Sequence, residues 1–316
     1  MKSRVGFLVF ITILLMPWTT VCAQRPCLNM GILPVIDTLP LIVAHEKGLF
    51  EQQGIDVKIL SFNSALERDA ALTSGRIDGY FGDLVITLLL NSKGEDLKVL
   101  TESYHTTSQQ TMFSLLSSPG SDIRTPADIG DTPVAISSGT IIEYFLDAVL
   151  SSCDVSPSQV KKLEIKAIPI RYQMLMGDSV ELAMLPDPLV SKALKGGAHI
   201  IADDRRLDTT ATILAIKADV LGRYPGLAIR FLLAYSQSVA MINANPGEYM
   251  ATLALKTRFP KDLLGKYSLP PFPEPCVPSK ESVEAVEAWL KDKGFKMKTG
   301  VYEDLVWQGV ENPKSP

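Results

Sequence analysis

Between Met30 and Asp83, short apolar runs alternate with helical patterns, and that alternation restricts the chain to one class of fold. Gly31–Leu33, Val57–Leu60 and Ile77–Phe81 have the length of strands, whereas Leu39–Phe50 and Ala65–Ser74 carry apolar residues at helical spacing. Strands alternating with helices in this way indicate βαβ units and a parallel sheet. Each strand runs into a polar cluster of small residues: Asp37-Thr38, Asn63-Ser64 and Gly82-Asp83. In an open α/β sheet a ligand sits beyond the carboxyl ends of the strands, where such loops converge. The segment therefore reads as half of a small-molecule cleft.

From Pro133 the pattern recurs. Val134–Ile136 reads as a strand, Ser137-Ser138-Gly139-Thr140 as a polar loop and Ile141–Leu150 as a helix. Strands at Leu163–Ile168, Leu182–Leu185 and His199–Ala202 follow, with helices between them. Gly75-Arg76-Ile77-Asp78-Gly79 resembles Gly177-Asp178-Ser179-Val180-Glu181-Leu182, each a helix-ending glycine before a strand, and Pro186-Asp187 stands where Gly82-Asp83 stands. The likeness is architectural rather than letter by letter, and it implies two α/β lobes whose strand ends face each other. Thr111–Leu116 and Thr212–Ile216 are the expected crossovers, assigning residues 24–115 and 213–316 to one lobe and 116–212 to the other. Two such connections form a hinge that can close around a ligand. The remainder is predicted helical over Leu227–Asn243, Tyr249–Thr257, Lys261–Lys266, Ser279–Lys293 and around Val301–Trp307, with Pro270-Pro271-Phe272-Pro273 as a rigid extended linker.

The amino end has the form of an export signal. Lys2 and Arg4 precede an apolar run from Val5 to Met16, and Val21-Cys22-Ala23 offers a cleavage site after Ala23. The run is short for a bilayer span, and Thr19 and Val21 are poor neighbours for lipidation at Cys22. A soluble protein of the periplasm or another extracytoplasmic space is expected. Removing those 23 residues from 316 leaves 293, and losing two basic residues moves the formal charge from −4 to −6. Neither nucleic acid nor an anionic membrane selects such a balance. Cys27, Cys153 and Cys276 remain; none has metal or redox spacing, and a bridge between Cys27 and Cys276 is open if the C-terminal region packs on the first lobe.

The segment Leu33–Asp83, with Ala44-His45-Glu46-Lys47-Gly48-Leu49-Phe50-Glu51 and Gly54-Ile55-Asp56-Val57, resembles the extracytoplasmic solute-binding proteins of bacterial ABC importers. The nearest branch is the nitrate, sulfonate and thiamine-pyrimidine-precursor (SsuA-like) group. The resemblance continues through Leu72–Gly79 and Asp187-Pro188 and covers essentially the whole mature chain. It implies a two-lobed type II periplasmic binding fold, two doubly wound α/β domains joined by a two-strand hinge. It also implies capture of a small solute, transient docking to a membrane permease, a monomeric state and no cofactor.

Ser137, Ser138, Gly139 and Thr140 follow a strand and open a helix, where unpartnered first-turn amides hold an anionic or polar group unless Ser138 or Thr140 only caps the helix. Asp37, Asp83 and Asp187 stand at strand ends, where a carboxylate either caps its loop or meets donors on a ligand. Thr38, Asn63 and Ser64 share these loops, and Glu143 lies one turn into the second lobe. Phe62, Tyr104 and Tyr144 either sandwich a planar ring or belong to the core; Tyr104 is kept as a ligand-binding candidate. Arg171 either pairs with an anionic solute or lies on the surface, the reading favoured here. Several acids against this single cation suit a nitrogen-containing solute, such as an aminopyrimidine, better than nitrate or a sulfonate, although backbone amides can bind anions unaided.

Two other classes compete. Enzymes of menaquinone and thiamine-pyrimidine synthesis have a similar fold, but HExxH, GxSxG, GxGxxG and phosphate-loop motifs are all missing and the three histidines are scattered. The cysteine-rich stretch expected of thiamine-pyrimidine-forming enzymes is also missing. Of the histidines only His105, beside Tyr104, is a cleft candidate. A sensor module reporting closure to a receptor is the other alternative.

Overall fold

The computed structural model describes residues 25–257, 259–297 and 301–309; the expected signal segment lies outside them. The chain begins with β1 (Cys27–Ile32), α1 (Leu39–Glu46), α2 (Leu49–Gln52), β2 (Asp56–Ser61), α3 (Ala65–Thr73), β3 (Gly79–Asp83), α4 (Leu84–Ser92) and β4 (Leu97–His105). The helix expected over Leu39–Phe50 is two helices, because Gly48 takes a left-handed conformation (φ 66°) that ends the first. Next come β5 (Phe113–Ser117), β6 (Val134–Ile136), α5 (Ile141–Ser151), β7 (Lys162–Glu164), α6 (Ile168–Met176), β8 (Leu182–Pro186), α7 (Leu189–Lys195) and β9 (His199–Asp203). The strand expected to reach Ile168 stops at Glu164; Pro169, suited to a first helical turn, helps to start α6 there. The chain ends with β10 (Thr210–Lys217), α8 (Ala218–Arg223), α9 (Leu227–Ala244), α10 (Met250–Lys256), α11 (Lys280–Asp292) and α12 (Val301–Leu305). The helix expected over Lys261–Lys266 is a three-residue 3-10 turn.

Two five-stranded sheets result, ordered β2-β1-β3-β10-β4 and β7-β6-β8-β5-β9. They share one plan. In each, the fourth position holds a strand antiparallel to both neighbours, and the other strands run parallel. That antiparallel strand is the one by which the chain enters the lobe after crossing from the other. Thr111–Leu116 and Thr212–Ile216, expected as crossovers, thus largely coincide with β5 and β10; the passages themselves are residues 106–112 and 204–209. Close packing in the first sheet requires Gly79, where a Cβ would meet the Ala215 carbonyl at 2.6 Å.

The two passages are stitched together. The Thr106 amide donates to the Thr209 carbonyl (3.0 Å), and the Thr106 hydroxyl donates to the Leu207 carbonyl (2.7 Å). Buried Asp204 accepts from the Thr111 hydroxyl (2.8 Å) and from the amides of Met112 and Phe113 (both 3.1 Å). Burial pushes its carboxyl up to about 6 in spite of those donors. His105 bridges Glu102 (2.9 Å) and Asp208 (2.7 Å), so it fastens the hinge. The bond to Glu102 outweighs burial and raises its pKa.

One apolar core covers a face of the first sheet and continues through α4, α5 and α11 onto the second sheet, so the lobes share it. A second core lies on the other face of the first sheet against α1 and α9, and a third packs α6 and α7 on the second sheet. At the shared core, Lys162 and Lys293 bridge Glu143 and Asp147 over 2.6–2.9 Å, and the Trp289 indole donates to Asp147 (2.9 Å). Cys27, Cys153 and Cys276 form no disulfide with one another, so the possible bridge between Cys27 and Cys276 is not formed.

Burial alone would raise the Glu143 carboxyl, but the two lysines and the Gly139 amide override it and hold the group at about 2. A depressed acid stabilises the fold above its unfolded value and loses that contribution as pH falls towards the folded one. Glu143→Gln is therefore expected to cost about 2 kcal/mol at neutral pH. In urea denaturation the gap to wild type should narrow as the pH drops from about 5 to about 3; a gap independent of pH would show that the charge does not stabilise this seam.

Candidate functional site

The parallel strands of both sheets end in the loops that carry the sequence candidates, and three of these come together. Asp37, in the 3-10 turn Ile36–Thr38 that follows β1, is 5% exposed. Its Oδ2 accepts from the Thr212 hydroxyl (2.7 Å), and its carbonyl accepts from Ser103 (2.7 Å). Asp187, directly after β8, is 4% exposed; its Oδ1 accepts from the Ser191 amide (2.9 Å) and hydroxyl (2.7 Å), and its Oδ2 from the Tyr267 hydroxyl. Burial raises both carboxyls above the ordinary range, partly opposed by those hydroxyl and amide donors. Tyr104, in β4, is fully buried, and its hydroxyl has no hydrogen-bond partner within 3.5 Å among the described residues, Thr107 being near enough only to oppose slightly the rise of its pKa. Desolvation raises its pKa, and the carboxylates of Asp204, Asp37 and Asp187 add to the rise. Acids from both lobes thus act on a single phenol.

Tyr267 completes this group. It belongs to a segment rooted in the first lobe's core by Phe259, Leu263 and Phe272, yet its hydroxyl reaches Asp187 of the second lobe. Gln110, in the first passage, donates to the Tyr267 hydroxyl (3.2 Å) and the Ser268 carbonyl (3.1 Å). Lys195 of α7 meets Asp262 on the same segment at 3.1 Å. A cavity of about 340 Å3 lies here, lined by Gln110, Ser191, Lys195 and Tyr267 among others.

The other candidates are engaged within the chain. The Asp83 carboxylate caps α4 by accepting from the Ile86 amide (3.0 Å). Burial pushes it up to about 6 against that amide and Arg68. Ser64 caps α3 through the Glu67 amide (3.2 Å), and the Asn63 amide donates to Glu67 (3.1 Å). Thr38 is buried and donates to the Val35 carbonyl (2.7 Å). Around the Ser137–Thr140 loop the chain supplies its own anions: the Ser138 amide donates to Glu164 (2.9 Å), and the Gly139 amide to Glu143 (2.8 Å). The Thr140 hydroxyl donates to the Ser137 carbonyl (2.7 Å) while accepting from the Ile142 amide, so it caps α5. Phe62 is buried beneath Arg76, and Tyr144 packs edge-on to Trp289 in the seam between the lobes. Arg171, expected on the surface, is fully buried.

Sequence reasoning missed Tyr267, Gln110 and Thr212. Tyr267 lies in a segment without periodicity, and only its position ahead of Pro270-Pro271 marks it. Among the described residues no group of three or more His, Cys, Asp or Glu side chains is arranged to hold a metal ion.

The family model described as "NMT1/THI5 like" matches residues 36–249. No curated protein matches the sequence. Among solved structures, the aliphatic sulphonate binding protein SsuA from Escherichia coli aligns with a TM-score of 0.76 at 17% identity, covering 89% of this chain and 97% of that one. The alkanesulfonate-binding protein SsuA from Xanthomonas axonopodis pv. citri, bound to MOPS, gives 0.75 at 19% identity, covering 90% and 99%. The nitrate-binding protein NrtA from Synechocystis PCC 6803 gives 0.62 at 17% identity, covering 82% and 75%. At such identities the likeness is one of fold, the two-lobed periplasmic binding architecture.

A buried hydroxyl without a partner contributes nothing to folding, whereas a bonded one does. Tyr104→Phe is therefore expected to leave the ligand-free protein as stable as wild type or up to about 1 kcal/mol more stable. Tyr80→Phe, which removes the 2.6 Å bond to Thr87, should cost about 1 kcal/mol. Chemical denaturation of both variants checks this, and a destabilised Tyr104→Phe would mean that the hydroxyl has a structural partner.

Proposed function

The chain belongs to the NMT1/THI5-like family, and we propose that it is the extracytoplasmic solute-binding component of an ABC-type importer. In this reading the mature chain begins after Ala23, and residues 24–115 with 213–316 close against residues 116–212 around one small organic solute. The closed form then docks on a membrane permease. Asp37, Tyr104 and Asp187 form the solute-contacting set, with Tyr267 as a fourth wall. Asn63, Ser64, Asp83 and the Ser137–Thr140 loop line the wider rim.

One observation carries the solute class. Asp37 and Asp187 come from opposite lobes, both are buried, and the groups acting on them are hydroxyls and amides rather than cations. A carboxylate so placed is costly to ionise, and a ligand with N–H donors or a protonated nitrogen relieves that cost by direct hydrogen bonding. The orphan Tyr104 hydroxyl adds a donor or an acceptor, and its ring adds a face for a planar group. A nitrogen-containing organic solute, an aminopyrimidine among the possibilities, fits this set.

The test is a thermal-shift and calorimetric screen of the mature protein with aminopyrimidines, thiamine, amino acids, sulfonates, nitrate and bicarbonate. A solute at a hundred times its dissociation constant adds about 2.7 kcal/mol, or about 5–10 °C for a chain of this size. Asp37→Asn and Asp187→Asn should each weaken binding about 10- to 100-fold by removing a charge-assisted hydrogen bond. Unchanged affinity in both would remove the carboxylates from recognition, and turnover of a bound solute would favour an enzyme.

A further inference from the structure

The segment between α10 and α11 is rooted in one lobe and reaches the other. Phe259, Leu263 and Phe272 are buried in the first lobe's core. Asn243 of α9 grips the Phe272 backbone, donating to its carbonyl (2.8 Å) and accepting from its amide (3.0 Å). Farther on, the Cys276 carbonyl accepts from the Glu102 amide of β4 (2.7 Å). Pro260, Pro270, Pro271, Pro273 and Pro275 fix their own backbone angles and stiffen the path. The middle of the segment meets the second lobe through polar groups. Tyr267 donates to Asp187, and Asp262 accepts from Lys195 Nζ through its carbonyl (3.0 Å) and its carboxylate (3.1 Å). Lys195 and Asp262 are both nearly half exposed, so their ion pair holds weakly. Among the described residues, none of the segment joins the apolar core of the second lobe.

The Tyr267 hydroxyl uses both of its capacities. It donates to Asp187 Oδ2 and accepts from Gln110 Nε2 (3.2 Å), and a second bond from Nε2 to the Ser268 carbonyl (3.1 Å) fixes that amide. Asp187 Oδ1 is already taken by the Ser191 amide and hydroxyl (2.9 and 2.7 Å). Oδ2 is therefore the oxygen left to a solute, and Tyr267 occupies it. The ring is steadied from its own segment, by Phe259 packed edge-on at 5.0 Å. The cavity of about 340 Å3 borders Gln110, Ser191 and Tyr267, so there is room for another group beside the hydroxyl.

We propose that the Tyr267 hydroxyl is a resident stand-in for one group of the solute, carried on a clasp that yields when the solute arrives. The arriving group takes over both bonds: it donates to Asp187 Oδ2 and accepts from Gln110 Nε2. Gln110 is then a specificity-determining residue. A hydroxyl or a carboxamide satisfies both partners, whereas an ammonium only donates and leaves the Gln110 N–H without an acceptor. A site whose polar group is left unpaired in this way discriminates strongly against the wrong ligand. The clasp shifts outward to admit the group, and the Tyr267 ring remains as the wall over it. This inference rests on the solute-binding reading above and narrows it to a molecule that presents such a group to Asp187, leaving N–H donors for Asp37.

Pyridines that differ in a single substituent test this by calorimetry on the mature protein: 3-pyridinemethanol, nicotinamide and 3-(aminomethyl)pyridine, the last charged at neutral pH. The wild type is expected to favour the alcohol and the amide over the amine by about tenfold or more. Tyr267→Phe keeps the ring, removes the resident hydroxyl and should tighten the alcohol and the amide about tenfold. Gln110→Met should erase the preference over the amine. Hydrogen exchange adds a readout that a merely structural role would not move: the alcohol at saturation should speed exchange in residues 261–268 of the wild type, where a fixed wall would exchange more slowly. A Tyr267→Phe protein that binds the alcohol and the amide no more tightly than wild type overturns the proposal. Should that variant fail to fold, an undiminished preference in Gln110→Met overturns it instead. A wild type that ignores all of these pyridines but is stabilised by another member of the wider panel overturns it while leaving the solute-binding reading intact. A wild type that responds to neither the pyridines nor the panel overturns both.

Discussion

Each sheet is completed by a strand that arrives from the other lobe, and the rest of the architecture depends on this exchange. Because β10 pairs with both β3 and β4, and β5 with both β8 and β9, the crossing segments are tied to the middle of a sheet on either side. They cannot drift apart. Thr106 then bonds one passage to the other, and Asp204 gathers the start of β5 against the end of β9. The resulting hinge is short and bonded along its length. A hinge of this kind suits rotation of whole lobes rather than of single loops.

The shared core makes the two sides of the hinge unequal. On one side α4, α5 and α11 form continuous apolar contact, closed by the lysine bridges to Glu143 and Asp147. Elsewhere the lobes meet through polar contacts, Tyr267 with Asp187 and Lys195 with Asp262, and Gln110 of the first passage bonds to Tyr267 beside them. Polar contacts of this kind are exchanged for solvent or ligand at small net cost, whereas separating an apolar seam exposes area at about 25 cal/mol per Å2. The polar contacts between the lobes, Tyr267 with Asp187 among them, are therefore cheaper to separate than the apolar seam.

Much of the fold was legible because it follows from periodicity. The βαβ alternation, the helix-ending glycines and the repeated unit after Pro133 all have local causes. The crossings were harder, because an apolar stretch such as Thr212–Ile216 reads the same whether it links lobes or lies within a sheet; only its partners β3 and β4 decide. Site legibility divided in the same way. Asp37 and Asp187 could be named because strand ends are recognisable. Whether the Ser138 and Gly139 amides face solvent or a carboxylate of the chain depends on Glu164 and Glu143, and nothing in the loop's own sequence reports them. The fate of Arg171 was read the wrong way round, since burial of a helix residue depends on what packs over it. Tyr267 gave no signal because it acts across the cleft from a segment with no regular structure.

The strand exchange also sets an order of assembly. The second sheet uses only residues between Phe113 and Asp203, an unbroken stretch of chain. The first sheet lacks its fourth strand until Thr210–Lys217 has emerged, so a chain appearing from its amino end carries an incomplete sheet edge at β3 while the later lobe is already able to close. Such an edge, with its hydrogen-bonding groups unpaired, is a template for wrong pairings. The amino-terminal half is thus the part of this molecule most in need of a chaperone's cover during synthesis, and it is the half that matures last.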